Sequence, residues 1–214
     1  MKYPYVFVLV MFFCLSVSSQ NAFKKATFKS GNPHIILADL FTNLSGIQNT
    51  GNGTIIVSFT LTKSGEIVNI HPLQFDTQKN AVNAILAVQK TSKNWSPTTI
   101  GGQASDQKYK ISYNFISPNS SYELDVKMAA KFAKKKMFKQ ALKYYNRAIK
   151  VNNNEASLYL NRAEVKLALN DMEGLRFDLE KCKTLQKEYL VNVQLAGFQP
   201  NKNKQITYIN KEKK

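Results

Sequence analysis

Hydrophobic residues repeat with two different periods along the chain. Across residues 54–115 apolar and polar positions mostly alternate, which is the pattern of strands with one buried face. Across residues 122–196 apolar positions recur every three or four residues, which predicts helices. The turn-forming run Ser117-Pro118-Asn119-Ser120-Ser121 lies between the two patterns and predicts a domain boundary.

The first domain, residues 34–117, is predicted to belong to the α+β class. Helical spacing of apolar residues occurs at 34–44 and 81–88, and alternation predicts three strands at 54–62, 66–75 and 108–115. Ile56 alone breaks the first alternation. We expect a three-stranded antiparallel sheet with two helices on one face, water on the other face and at least one open edge.

Several motifs of this domain follow one another in a recognisable order. They are Gly53-Thr54-Ile55-Ile56-Val57-Ser58-Phe59, Ser64-Gly65-Glu66-Ile67-Val68-Asn69-Ile70, Asn94-Trp95-Ser96-Pro97, Gly102-Gln103 and Tyr109-Lys110-Ile111-Ser112-Tyr113-Asn114-Phe115. In this order they resemble the C-terminal domain of the TonB family. Trp95 and Pro97 are the structural markers of the motif, and Trp95 is expected to be a buried anchor.

The resemblance implies a mode of binding. Domains of the TonB family dock on outer-membrane receptors, and a receptor segment adds as a strand to the edge of the sheet. By resemblance, the third strand is the docking edge, with Lys108, Lys110, Ser112 and Asn114 as its partner-binding residues. Energy transducers of the family also have a membrane anchor and a long Pro-rich spacer, which residues 20–33 do not resemble, so an adaptor is favoured.

The second domain, residues 122–198, repeats a pattern after 34 residues. Small and aromatic residues that fit between paired helices recur in register, and the second copy departs from this pattern at Lys166, Leu175 and Lys183. The first copy contains Ala129, Phe132, Phe138, Ala141, Tyr145, Ala148 and Ile149, and the second contains Ala163, Lys166, Met172, Leu175, Leu179, Cys182 and Lys183. The pattern resembles two tetratricopeptide repeats, with an ordinary helical bundle as the alternative. The apolar residues 189–198 are expected to form a capping helix.

The first residues have the layout of a secretory signal peptide. Lys2 precedes an apolar run over residues 5–17, and small residues follow at 18–19. The run is shorter than the roughly 20 residues that span a bilayer as a helix. We therefore expect residues 1–19 to be cleaved and the protein to reach the periplasm or cell envelope; a retained inner-membrane anchor is the alternative. Residues 20–33 are predicted to be loose.

The chain is strongly basic, with a formal net charge of +16. Residues 125–150 contain nine Lys or Arg residues and one acidic residue, Asp125. The candidate basic patch is Lys131, Lys134, Lys135, Lys136, Lys139 and Lys143. It is interpreted either as a solvated surface or as a dock for an acidic protein or an anionic envelope surface. Nucleic acid is not an expected partner outside the cytoplasm. The basic tail, residues 199–214, is predicted to be disordered.

The sequence contains no pattern that indicates catalysis. His34 and His71 have no cysteine or paired carboxylate at ligand spacing, and no phosphate-binding glycine loop or nucleophile elbow occurs. Cys182 occupies a small-residue position of the second repeat and is expected to be a core residue. We predict no enzyme activity, no cofactor and no metal.

Three functions are compatible with these patterns. The first is an exported adaptor that captures a partner strand through its TonB-like sheet and offers the repeats as a second surface. Its partner would be a TonB-dependent outer-membrane receptor or another envelope protein. The second is a TonB-type energy transducer with a retained anchor, and the third is an envelope protein that self-associates through the sheet edge.

Overall fold

The computed structural model describes residues 22–45, 53–117 and 120–196. The helices in these ranges are α1 (Pro33–Ser45), α2 (Gln78–Gln89), α3 (Tyr122–Lys134), α4 (Phe138–Val151), α5 (Ala156–Ala168) and α6 (Met172–Glu188). The strands are β1 (Phe23–Lys24), β2 (Thr27–Phe28), β3 (Gly53–Leu61), β4 (Ile67–Gln74), β5 (Trp95–Ser96), β6 (Thr98–Ile100), β7 (Gln103–Ser105), β8 (Gln107–Ile116) and β9 (Tyr189–Ala196). The α+β class is confirmed. The predicted signal peptide and basic tail lie outside the described residues.

A four-stranded sheet organises the fold, with the strand order β4-β3-β8-β9. Strand β3 runs antiparallel to β4 and to β8, whereas β8 and β9 are parallel. The three predicted strands are therefore confirmed. The predicted three-stranded antiparallel sheet is wrong, because a strand from the far end of the helical region joins it.

Strand β9 replaces the expected capping helix. Val191, Val193 and Leu195 are buried, while Asn192 and Gln194 between them point to the other face. This period of two matches a strand, and a helix would have scattered the three apolar side chains around its axis. The helix prediction is wrong because it used the apolar content of the segment and not its period. The expected helical domain 122–198 accordingly ends at residue 188.

The main core lies between the sheet and helices α1 and α2. Alternate residues of β3, β8 and β9 contribute one face, and Leu37 and Phe41 of α1 and Ala84 and Val88 of α2 cover it. The Phe41 ring stacks on Tyr113 with ring centroids 4.6 Å apart. Apolar surface buried in this way is the main source of stability for the sheet half.

Trp95 closes this core where the chain leaves α2. Its side chain is 1% exposed, its Nε1 donates to Thr91 Oγ1 at 3.0 Å, and its ring packs edge-on against Phe28. A Cβ on Gly65, which has a φ of +82°, would lie 2.3 Å from the Trp95 carbonyl oxygen, so only glycine fits there. The prediction that Trp95 is a buried anchor is confirmed. Pro97 is half-buried in the step between β5 and β6.

The N-terminal segment packs on the Trp95 region. Strand β1 pairs with β6, and β2 pairs with β5, so that Phe28 lies opposite Trp95. Ala26 between these short strands is buried. The expectation of a loose segment over residues 20–33 is therefore wrong for residues 23–28, because backbone pairing and the Trp95 contact hold them.

The helical half consists of two hairpins, α3 with α4 and α5 with α6. Ala129 and Ala163 lie at equivalent places in α3 and α5 and are at most 1% exposed, which lets the paired helices approach closely. Lys136 and Asn170 follow the first helix of each hairpin and take left-handed backbone conformations, with φ of 58° and 60°. The 34-residue repeat in the sequence thus corresponds to a repeated turn.

A second core joins the helical half to the sheet. Ile56 and Ile116 extend from the sheet face opposite α1 and α2, and they cluster with Tyr122, Leu158 and Leu185 of the helices. The expectation that this face is exposed to water is wrong, because the helices cover it. Ile56 breaks the alternation of β3 since both faces of that strand are buried.

Candidate functional site

The predicted docking edge is an interior strand. Backbone pairing occupies β8 on one side through β3 and on the other side through β9. Ser112 and Asn114 are 0% and 2% exposed. The expectation that β8 receives a partner strand is therefore wrong: the chain's own residues 189–196 take that place.

The two lysines of the predicted edge, Lys108 and Lys110, lie in the first half of β8. Lys110 Nζ makes an ion pair with Glu188 Oε2 at 2.7 Å, at the end of α6. Lys108 is exposed and lines a depression of about 320 Å³ together with Ser58, Lys110 and Lys187. Of the four predicted partner-binding residues, Lys108 is exposed, Lys110 is half-buried, and Ser112 and Asn114 are buried.

The buried polar residues of β8 belong to a hydrogen-bond network between the halves. Ser112 Oγ donates to Asn192 Oδ1, and Asn114 Nδ2 donates to Ser112 Oγ at 3.0 Å. Asn192 Nδ2 reaches the carbonyl oxygen of Asn154 at 2.8 Å, and Tyr189 OH donates to Asn154 Oδ1 at 3.2 Å. Buried polar groups with partners of this kind fix one arrangement of the elements that carry them. The network is structural.

The predicted basic patch forms one continuous surface at the tip of the first hairpin. Lys131 and Lys134 lie in the last turn of α3, Lys135 and Lys136 form the turn, and Lys139 and Lys143 follow on α4. All six are exposed, and in the described part of the chain none makes an ion pair. The hairpin brings together every residue predicted for this patch.

The placement of these charges does not favour the helix that carries them. Lys139 is the second residue of α4, near the positive end of the helix dipole, and the first turn has no acidic residue to compensate. Lys139, Lys143 and Arg147 follow at intervals of four, where like charges repel. Asp125, buried nearby, is already paired with Arg147 Nη2 at 3.2 Å.

Arg147 and Lys150 extend the patch and were missed as site residues. With Lys139 and Lys143 they line a groove of about 410 Å³ along α4, and Leu142 and Asn146 also line it. The Arg147 guanidinium lies over the Tyr144 ring, 5.5 Å from its centroid. The spacing of 139, 143, 147 and 150 on one helix face was a signal that could have found them. We call the predicted six lysines with Arg147 and Lys150 the basic surface.

Elsewhere in the described residues, the groups considered for reactivity or metal binding are the Cys182 thiol and the His, Asp and Glu side chains. Cys182 is buried, and burial raises the pKa of its thiol, which disfavours the nucleophilic thiolate. Among the residues that the structure describes, no group of three or more His, Cys, Asp or Glu side chains could hold a metal ion. Nor is any helix in those ranges long and apolar enough to span a bilayer.

No protein-family model matches the chain, and neither a curated protein nor a solved structure matches it.

Proposed function

We propose that this chain is a non-enzymatic, exported adaptor that docks an acidic protein of the cell envelope on its basic surface. The observation that carries the proposal is the row of cations on α4, which repel one another and oppose the helix dipole at Lys139. Among the described residues they have no carboxylate partner other than Asp125. Such an arrangement costs stability. A ligand that supplies the missing negative charges recovers that cost on binding.

The groove between these cations favours a protein as the ligand. Lys139 and Lys150 are eleven positions apart, which is about 16 Å along a helix. Leu142 and Asn146 add an apolar and a hydrogen-bonding contact to the row of charges. An acidic helix or an extended acidic segment can use all three kinds of contact along this groove.

The motif resemblances support the envelope setting. The residues quoted from the sheet half resemble the TonB C-terminal domain, and the repeated hairpins resemble tetratricopeptide repeats. Both are interaction modules in those families. Strand capture at β8 forms no part of the proposal, because β9 pairs there. In this proposal the sheet half supports the helical half, and the hairpin tip meets the partner.

The test compares two double charge reversals. In Lys139→Glu with Lys143→Glu the basic surface is reversed, and in Lys79→Glu with Lys90→Glu the same charge change is made on exposed residues of the α2 region. Envelope extract is passed over each immobilised protein, and the captured partner is then titrated at several salt concentrations. We expect the first variant to lose about tenfold or more in affinity and the control to retain it.

Two results would overturn the proposal. One is equal capture by both variants. The other is selective loss of binding to vesicles of anionic phospholipid without loss of any protein partner, which would identify a membrane-binding surface instead.

A further inference from the structure

The two outer edges of the main sheet differ in how they are protected. On β4 the pairing with β3 shifts register twice, Asn69 takes a φ of 51° and Pro72 cannot donate a backbone hydrogen bond. On β9 the pairing with β8 is regular from Val191 to Ala196, and this stretch contains neither proline nor a charged residue. An edge without such devices is a template for another strand.

The outward-facing backbone groups of β9 can be assigned from one contact. His34 Nδ1 lies 3.0 Å from the carbonyl oxygen of Asn192, so the backbone N–H and C=O groups of Asn192 point away from β8. Backbone groups alternate in direction along a strand, and those of Gln194 therefore also face outward, while those of Val193 face β8. In the described part of the chain no hydrogen bond reaches the backbone of Gln194 from outside the sheet. The edge is thus open just beyond His34.

A cleft of about 410 Å³ adjoins this open edge. Ile35, Ala38 and Asp39 of α1 form one wall, and Glu155 with Gln194 forms the other. The half-buried Asp39 carboxylate has no hydrogen-bond or ion-pair partner among the described residues. Glu155 accepts from Ser157 Oγ at 2.8 Å and makes no ion pair with a described residue. An occupant of this cleft should combine an extended backbone with positive charge.

We propose that the chain's own residues 201–214 dock in this cleft and pair antiparallel with the outer edge of β9. This segment starts five residues after Ala196, so a short reversal returns it to the edge. It begins with Lys202 and Lys204, which share one face of a strand and can meet Asp39 on the α1 wall of the cleft, and it continues with the apolar residues Ile206 and Tyr208 at the same period of two. The outer edge of β9 offers outward-facing backbone groups to a strand of this kind.

Charge and tethering favour this occupant over a second copy of the chain. Two β9 edges facing each other would bring the Asp39 and Glu155 carboxylates of both copies to one interface, where like charges repel. The tail is attached to the strand that it pairs with, which gives it an effective concentration on the order of millimolar.

Hydrogen exchange at neighbouring amides tests the proposal. The full chain is compared by NMR with a chain that ends at Phe198. We expect the Gln194 amide to exchange about tenfold or more slowly in the full chain, since only there does it donate to a tail carbonyl. The Val193 amide, which faces β8, should exchange equally in both and shows that β9 remains folded.

Charge variants of the full chain distinguish the tail from other causes of protection. Lys202→Glu with Lys204→Glu should remove the protection of Gln194, Lys211→Glu with Lys213→Glu should preserve it, and adding Asp39→Lys to the first pair should restore it. Equal exchange of Gln194 in the full and shortened chains would overturn the proposal. So would protection that rises with protein concentration, which would assign the edge to a second copy.

Discussion

Lys25 and Tyr189 are joined by a hydrogen bond across 164 positions of sequence: the Lys25 ammonium donates to the Tyr189 carbonyl oxygen. The same ammonium donates to the carbonyl oxygen of Gln186 at 2.8 Å. Helix α6 ends and strand β9 begins at this point, and the last carbonyls of a helix have no partners within it. The N-terminal segment thus supplies the cap for the junction that leads the chain back into the sheet.

Replacing Lys25 by Met should loosen this junction. Burial lowers the pKa of Lys25 below its usual 10.5, so the charged form is partly desolvated and its loss recovers some of that cost. The two hydrogen bonds that the charged ammonium donates contribute more than its desolvation costs. We therefore expect Lys25→Met to lower the free energy of unfolding by about 1–2 kcal/mol. Urea unfolding measures it. Lys24→Met, on a neighbouring exposed residue, is the control and should change little. Equal stability of the two variants would contradict the capping role.

Asp178 is the buried centre of an ionic cluster in the second hairpin. Arg162 binds it with two hydrogen bonds, Nε to Oδ2 at 2.8 Å and Nη2 to Oδ1 at 2.6 Å, and Lys166 Nζ lies 3.0 Å from Oδ2. Asp178→Asn would leave two largely buried cations without a counter-charge, which typically costs about 3–5 kcal/mol. Chemical denaturation checks this against Glu180→Gln, an exposed carboxylate in the same helix. A similar small loss in both variants would show that the cluster relaxes into solvent.

Elements that depend on nearby residues could be predicted from the sequence. Alternation identified β3, β4 and β8, and helical spacing identified α1 and the four helices of the repeats. Lys136 and Asn170, 34 positions apart, even end their helices in the same left-handed conformation. The basic surface could be predicted for the same reason, because a single hairpin with a tight turn brings its lysines together.

Elements that depend on distant pairing could not be predicted. The pairing of β8 with β9 joins residues about 80 positions apart, and nothing local in β8 shows that its second side is occupied. Two signals were present nevertheless. Val191 and Val193 alternate with Asn192 and Gln194, and Ile56 places an apolar side chain on the face expected to be wet. Together they indicate a sheet with both faces covered and one more strand.

Ser112 and Asn192 should behave as a coupled pair. Ser112→Ala removes the donor to Asn192 Oδ1 and the acceptor for Asn114 Nδ2. Each single alanine variant leaves buried polar groups without partners, which costs about 1–3 kcal/mol. The double variant should lose less than the sum of the two, with a coupling energy of about 1 kcal/mol. A double-mutant cycle by urea unfolding measures it. Additive losses would mean that the two residues act independently and that the network does not join β8 to β9.

Tyr113 should contribute to the loss of stability at alkaline pH. Its hydroxyl is fully buried without a hydrogen-bond partner in the described structure, and burial raises its pKa far above the usual 10.0. Burial also raises the pKa of Tyr189 to about 12. A raised pKa gives a contribution to stability that is complete below 10.0, the value in the unfolded chain, and is lost as pH rises toward the folded value. We therefore expect stability to fall between pH 10 and 12.

Tyr113→Phe isolates the contribution of Tyr113. At pH 7 the variant should be more stable by about 1 kcal/mol or more, because it removes a buried hydroxyl that has no partner. Above pH 10 it should lose stability less steeply than the wild type, since one fewer tyrosine ionises only on unfolding. The lowered pKa of Lys25 makes stability rise with pH over this range. Lys25 is present in both proteins, so its contribution cancels in the comparison. Thermal unfolding from pH 7 to 11, followed by circular dichroism, supplies both quantities. Parallel curves for the two proteins would show that Tyr113 reaches solvent or a partner in the native state.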